Sequence, residues 1–431
     1  MPTTHISKCQ ESEAARRVAA GRKSYLLTAT LALLFVANIF DPLGSLGLKY
    51  LAFLLAALSV FWTLRYFDLT SRELGLGLVI FVVWPTWSLL LGAASGGDVS
   101  VGVTQVTPFI FAVVLALILP AVDARVPLQT FYACLLLLAV AVIASFALIV
   151  FLPDNAISQT VFDYLVSLQG KEGSFGIQSF DGLDVPWIYF TSTLFLVPAF
   201  VYYLFVGKTL RAGITLLALG LTFSKAGLTL SVVFGAFYSL SALFSRSATG
   251  VTNGTKTRPL QGFRRFLPIA VVGGVTLLIL SSLPTFSDQI MDAWGGTSDT
   301  ASVRIGHFHS VMDLFVEHPS YLLVGQGAGV AFFSLGESEN VQSFEIDHLN
   351  AIRKFGLPWF IAYSAIVFYS ARKLIATGQK EERAFGFALM SAYLAAGTNP
   401  VLLSSLFVTM MTLSYFVQRS CSVLSDTQTA R

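Results

Sequence analysis

Apolar residues fall along this chain in long blocks separated by short polar joints. A helix that crosses a bilayer needs about 20 mostly apolar residues, because each residue rises about 1.5 Å through a hydrocarbon core about 30 Å thick. Twelve blocks approach that length: 24–40, 50–64, 74–91, 103–122, 128–152, 187–206, 212–223, 226–244, 267–283, 357–376, 385–396 and 401–417. Within them the apolar positions surround the helix instead of striping one face, as helices between lipid and other helices require. The pattern predicts an all-α polytopic membrane protein of about 12 transmembrane helices. It divides the chain into a tail at 1–23, helices one to nine over 24–283, a large loop at 284–356, helices ten to twelve over 357–417 and a tail at 418–431.

Composition agrees. Of the 431 residues 55% are hydrophobic and only 12% charged, and the mean hydropathy is +0.72. A soluble domain carries about twice that share of charge. This excludes soluble enzymes, nucleic-acid binders and disordered scaffolds. The net charge of +3 becomes informative only when sorted by loop. With the N-terminus inside and every block crossing, the inner segments hold 21 of the 27 basic residues and 8 of the 24 acidic ones. Cytoplasmic loops carry such an excess of Lys and Arg. Removing either of the two shortest blocks, the seventh or the eleventh, reverses every later loop and spoils the asymmetry. Both termini are therefore expected in the cytoplasm. Arg16, Arg17, Arg22 and Lys23 precede the first block as in a signal sequence, but no small-residue cleavage site follows, and a retained helix is expected. Cys9, Cys134 and Cys421 fall inside or within a span, so neither a disulfide nor a zinc site is expected.

The loop at 284–356 is too long to be a connector, since helix links run to about 2–8 residues. Its stretch ASVRIGHFHSVMDLFVEH places Val303, His307, Val311, Leu314 and Phe315 near one helical face. That predicts an amphipathic helix lying at the outer membrane interface. Pro319, Gly325, Gly327 and Gly329 then mark a turn-rich stretch; GQGAG lacks the strand–helix frame of a dinucleotide site.

Three groups of residues carry candidate chemistry on the outer side. Arg304 can grip a phosphate through two parallel hydrogen bonds; alternatively it covers a helix face or pairs with Asp313 or Glu317. Lys225, in the hairpin LTFSKAGLT, lies close to the membrane, where an ionisable group is costly and usually functional; alternatively it snorkels to water. In FEIDHLNAIRKFG, Glu345, Asp347 and His348 are possible proton acceptors, with Arg353 and Lys354 one or two turns later. The plainer alternative is that they anchor a helix end through ordinary acid–base pairs.

These three segments, in this order, resemble the O-antigen polymerase and O-antigen ligase superfamily of bacterial envelope glycosyltransferases. LTFSKAG is similar to that family's Ser-Arg-Gly turn, with Lys225 where arginine is usual. SVRIGHFHSVMDLFVEHPSYLLVGQGAG resembles its arginine-led loop helix ending in His-Pro and then Gly-x-Gly. FEIDHLNAIRKFGLPWF resembles the segment entering the next membrane helix, with Gly356 as its landmark. The resemblance covers about the last half of the chain.

It implies a GT-C-like, metal- and cofactor-independent inverting glycosyltransferase of the bacterial inner membrane, with its active site on the periplasmic face. The donor would be an oligosaccharide on undecaprenyl pyrophosphate. Arg304, Lys225 and Arg353 would hold the diphosphate, and Glu345 or His348 would be the base. Where ligases carry a histidine, about eleven residues before the landmark glycine, this chain has Glu345. The carboxylate looks more like the polymerases of lipid-linked repeat units of O-antigen, capsule or exopolysaccharide. The implied partners are the lipid-linked glycan and the bilayer, with room for a chain-length regulator and none for nucleic acid. The alternatives are a ligase that transfers glycan to lipid A core, and a secondary transporter or flippase. Pro85, Pro108, Pro198 and Pro400 suit broken transporter helices, but the halves show no repeat and the charged clusters lie at the outer surface.

Overall fold

Thr70 caps the first of the long helices: its hydroxyl accepts from the Glu73 amide at 3.3 Å, while its own amide donates to Glu73 Oε2 at 2.8 Å. In the computed structural model, which describes residues 25–41, 46–64, 69–167, 173–180, 183–222, 224–248, 299–377, 379–397 and 399–429, the described residues are about 81% helical. The tail at 1–23, the ninth apolar block at 267–283 and most of the basic loop before it lie outside the described residues.

Helices α1 (Tyr25–Phe40) and α2 (Leu48–Thr63) are followed by α3 (Ser71–Ala94), α4 (Val99–Ala121) and α5 (Arg125–Phe151). The last three, of 24, 23 and 27 residues, are long and apolar enough to cross a membrane. α6 (Ala156–Ser167) leads to a hairpin of β1 (Gly173–Phe180) and β2 (Leu183–Phe190). Then come α7 (Leu196–Val206), α8 (Thr209–Leu221) and α9 (Lys225–Ala248). The large loop contains α10 (Asp299–Glu317), a hairpin of β3 (Phe332–Ser334) and β4 (Glu339–Val341), and α11 (Asp347–Phe355). α12 (Leu357–Ala376), α13 (Lys380–Ala395) and α14 (Ser405–Thr429) complete the chain.

Two expectations are corrected here. The fold is not purely helical, because both long loops carry an antiparallel hairpin. The sixth apolar block also does not begin as a helix: residues 187–190 belong to β2, with Trp187 opposite Gly176 and Ile188 opposite Phe175. The sequence signal was Asp181-Gly182 between two apolar stretches, a two-residue hairpin loop.

The hydrogen-bond ladder of α3 is interrupted by its own sequence. Pro85 has no amide to give, and its ring crowds the preceding turn. One π-turn, Val79–Val83, precedes it, and in that register Pro85 would have been the donor to the Ile80 carbonyl. The Trp359 indole supplies the missing bond at 3.0 Å. Trp359 also meets Phe109 edge-on with ring centroids 5.5 Å apart, so the repair of α3 ties α4 and α12 together.

Contacts sort the connecting segments into two ends. At one end the Asp347 amide reaches the Ala396 carbonyl, the Asp98 amide reaches Gly329, and Tyr189 reaches Asn399. At the other, Arg125 donates to Gln379 Oε1, Gln129 to Glu381, and the Tyr415 hydroxyl to Glu73.

α10 forms where the amphipathic pattern predicts it. Its expected apolar face does not lie against lipid, however. His307, Val311 and Phe315 are buried against Phe332, Val341, Phe344 and Leu349, a small core belonging to the loop itself.

Candidate functional site

The loop is seated on α3 and α4 through backbone contact. Gly327 adopts φ +105°, and a Cβ there would lie 2.4 Å from the Gly92 nitrogen; one on Gly92 would lie 1.9 Å from the Ala328 carbonyl oxygen. No larger residue fits either position. The Ala328 amide donates to the Ser88 carbonyl at 3.0 Å, and the Gly329 amide to Gln105 Oε1 at 2.9 Å. The glycines therefore do more than turn the chain: they admit one backbone to another.

The β3–β4 hairpin is locked to α10 by polar groups. Ser334 Oγ accepts from the amides of Gly336 and Glu337, so its proton points to His307 Nδ1, 2.6 Å away. That tautomer leaves the His307 Nε2 proton for Glu337 Oε1 at 3.2 Å. His307 and Ser334 are both buried, which makes this a structural clasp.

The segment between β4 and α11 hangs from two buried cations. Arg353 Nη2 donates to the Gln342 carbonyl at 2.8 Å, and Lys354 Nζ to Ser343 Oγ at 2.7 Å. Phe344 fills the loop core, and Glu345 is thereby presented to α10. There Arg304 Nε donates to Glu345 Oε2 at 2.6 Å, with Nη2 at 2.5 Å from the same oxygen. The two side chains are 32% and 46% exposed. Arg304 thus pairs with neither Asp313 nor Glu317, but with a residue 41 positions away.

Arg353 has a different role from the one its sequence position suggested. It is fully buried, donates also to Gln326 Oε1, the Val330 carbonyl and Asn350 Oδ1, and lies 4.6 Å over the Phe332 ring. Its Nη donors are spent within the protein and its Nε is buried without a partner among the described residues, so the side chain leaves no face open to a phosphate. Removing one partner of such a buried charge typically costs about 3–5 kcal/mol, whereas an exposed ion pair contributes about 0.2–1 kcal/mol. Of the two arginines, Arg304 is the one a ligand can recruit.

Glu345 and His348 are not brought together. His348 turns toward the helices, with its ring centroid 4.6 Å from Tyr393 and 5.8 Å from Phe360. It hydrogen-bonds the Tyr393 backbone, and its Nε2 is buried without a partner. Burial lowers its pKa and keeps the ring neutral. Asp347 is also buried, accepting from the Leu403 amide at 3.1 Å and from Asn350 at 3.4 Å. Burial pushes its carboxyl up to about 6 and the Lys354 ammonium down to about 7, while their mutual attraction opposes both shifts.

Lys225 begins α9, behind Ser224, whose hydroxyl accepts from the Gly227 amide at 3.2 Å. The Lys225 side chain lies outside the described residues.

No protein-family model matches this chain, and no curated protein does.

Tyr189, which the sequence did not single out, lies near the ion pair, and Asn399 holds it. The Tyr189 hydroxyl donates to Asn399 Oδ1 at 3.2 Å and lies within electrostatic reach of both Glu345 and Arg304. Neither residue belongs to a motif. Only the pairing of β2 and the return of the chain between α13 and α14 bring them there.

Proposed function

We propose that this chain is a bacterial inner-membrane polymerase of lipid-linked oligosaccharide repeat units, acting by metal-independent inverting glycosyl transfer. The reading keeps twelve crossings, cytoplasmic termini and a periplasmic site. It rests on the three motif segments, and the observation that carries it is the half-exposed Arg304–Glu345 pair at the end bearing the acid-rich loops.

The pair has a chemical consequence. Two Arg304 donors occupy one Glu345 carboxylate oxygen, so that oxygen is engaged while the pair holds. A diphosphate carries more negative charge than one carboxylate and offers paired oxygens to the guanidinium. The ion pair contributes at most about 1 kcal/mol, so an arriving donor can draw Arg304 away and free the carboxylate. Glu345 then takes the proton of an acceptor sugar hydroxyl. Its oxygen attacks the anomeric carbon from the face opposite the carrier, the carbon–oxygen bond to the diphosphate breaks, and configuration inverts. The departing diphosphate keeps the bond's electron pair and is held by Arg304, with Lys225 as the second cation. Fixed cations stabilise such developing charge most where water is excluded.

A ligase would run the same chemistry on a different acceptor. Glycan analysis of a deletion strain separates them: accumulated single repeat units support the polymerase, and full-length chains stranded on the carrier refute it in favour of the ligase.

A further inference from the structure

Between α12 and α13, toward the end that holds Arg125 and Gln379, lies a cavity of about 420 Å³ lined by Phe368, Ala371, Arg372, Ile375, Ala376 and Met390. The helices meet tightly beside it. A Cβ on Gly386 would lie 2.9 Å from the Ala371 carbonyl oxygen and 2.8 Å from the Ile375 side chain. Phe368, Arg372 and Ile375 recur at helical spacing, so one stripe of α12 forms a wall, and Met390 of α13 faces it. The lining is almost wholly hydrocarbon, and Arg372, an exposed residue, stands at its edge.

Arg372 is the informative residue. Neighbouring cations are engaged: Arg383 donates to the Thr377 carbonyl at 3.2 Å, and Lys373 Nζ lies 5.6 Å over the Tyr369 ring. Arg372 makes no hydrogen bond or ion pair among the described residues. A snorkelling arginine would explain the charge, but not a cavity of apolar walls beside it. Phe368 is 46% exposed at its rim, which on the reading that α12 and α13 cross the bilayer opens the cavity to lipid tails. The molecule that satisfies both halves has an anionic oxygen head and a hydrocarbon tail, as basic pockets between transmembrane helices bind.

We propose that this groove holds one anionic phospholipid, its phosphate on Arg372 and an acyl chain along Phe368, Ile375 and Met390. The site is remote from the Arg304–Glu345 pair and independent of the glycosyl-transfer reading.

The test uses the full chain, purified in micelles containing equal phosphatidylglycerol and phosphatidylethanolamine, with retained lipid counted by native mass spectrometry. Wild type should keep one phosphatidylglycerol with roughly fivefold preference. Arg372→Gln should abolish the preference, and Lys373→Gln should leave it. Met390→Trp, which fills the groove without changing charge, should lower retention of both lipids. Equal retention of the two lipids by wild type, or an undiminished preference in Arg372→Gln, would overturn the proposal. Displacement of the phospholipid by an equimolar polyprenyl phosphate would overturn it in favour of a carrier site.

Discussion

Arg304 and Glu345, 41 residues apart in sequence, share a single carboxylate oxygen at the exposed edge of the large loop. On the proposed reading, the cation that would meet a phosphate is held by the carboxylate that would act as a base. The orientation of His348 turns this into a discrimination between the two candidate bases. Glu345→Gln should lower polymerisation by about 10²–10⁴-fold, the contribution typical of a positioned base. His348→Gln, in a neutral ring packed on Tyr393 and Phe360, should change it only a few-fold. Turnover of a lipid-linked repeat unit by each purified variant reads the difference; the reverse ranking would assign the base to His348.

Arg353 should behave unlike Arg304. Arg353→Ala strands the Gln342 carbonyl and the Asn350 and Gln326 side chains, and should destabilise the loop by about 3–5 kcal/mol. Arg304→Ala should leave the loop nearly as stable as wild type. Limited proteolysis of the two variants compares them: an equally protected Arg353→Ala loop would show that its bonds do not hold the segment.

Gly327→Ala tests the seat of the loop on α3. The new methyl group would meet the Gly92 backbone, and φ +105° is itself strained for alanine. A loss on the order of 1–3 kcal/mol is expected for such a position, seen as a lower unfolding temperature with the helices retained. A variant as stable as wild type would mean that the contact is not tight.

Much of this architecture can be read in the chain itself. Apolar blocks locate most of the helices, among them α3, α4 and α5, the three long and apolar enough to cross a membrane. The pattern of His307, Val311 and Phe315 locates α10 and its buried face. What covers that face could not be read, because Phe332 and Val341 come from a hairpin whose three-residue strands are too short to show alternation, and Phe344 from the irregular segment after it. Arg304 and Glu345 are visible as candidates, but their pairing depends on how Arg353 and Lys354 hang residues 342–343. Tyr189 was hidden for a related reason: its strand is apolar enough to read as the start of a membrane helix.

Asp347 and Lys354 give the loop a pH signature. Burial raises the Asp347 pKa, so its contribution is complete below the unfolded value and is lost as pH rises through about 6. Burial lowers that of Lys354, so its contribution is complete above the unfolded value and is lost as pH falls through about 7. Loop stability should therefore be lowest near neutral pH, between these values, and rise on either side. Hydrogen exchange across pH 5–9 measures it; a profile unchanged in the Asp347→Asn, Lys354→Gln double variant would assign the dependence to other groups.

The competition for Arg304 is tested most directly by the affinity of the purified protein for undecaprenyl pyrophosphate. Arg304→Ala should weaken binding about tenfold or more, the worth of a charge-assisted hydrogen bond. Glu345→Gln should strengthen it by up to about fivefold, since the competing carboxylate is gone. Binding unaffected by Arg304→Ala, or weakened by Glu345→Gln, would contradict the account.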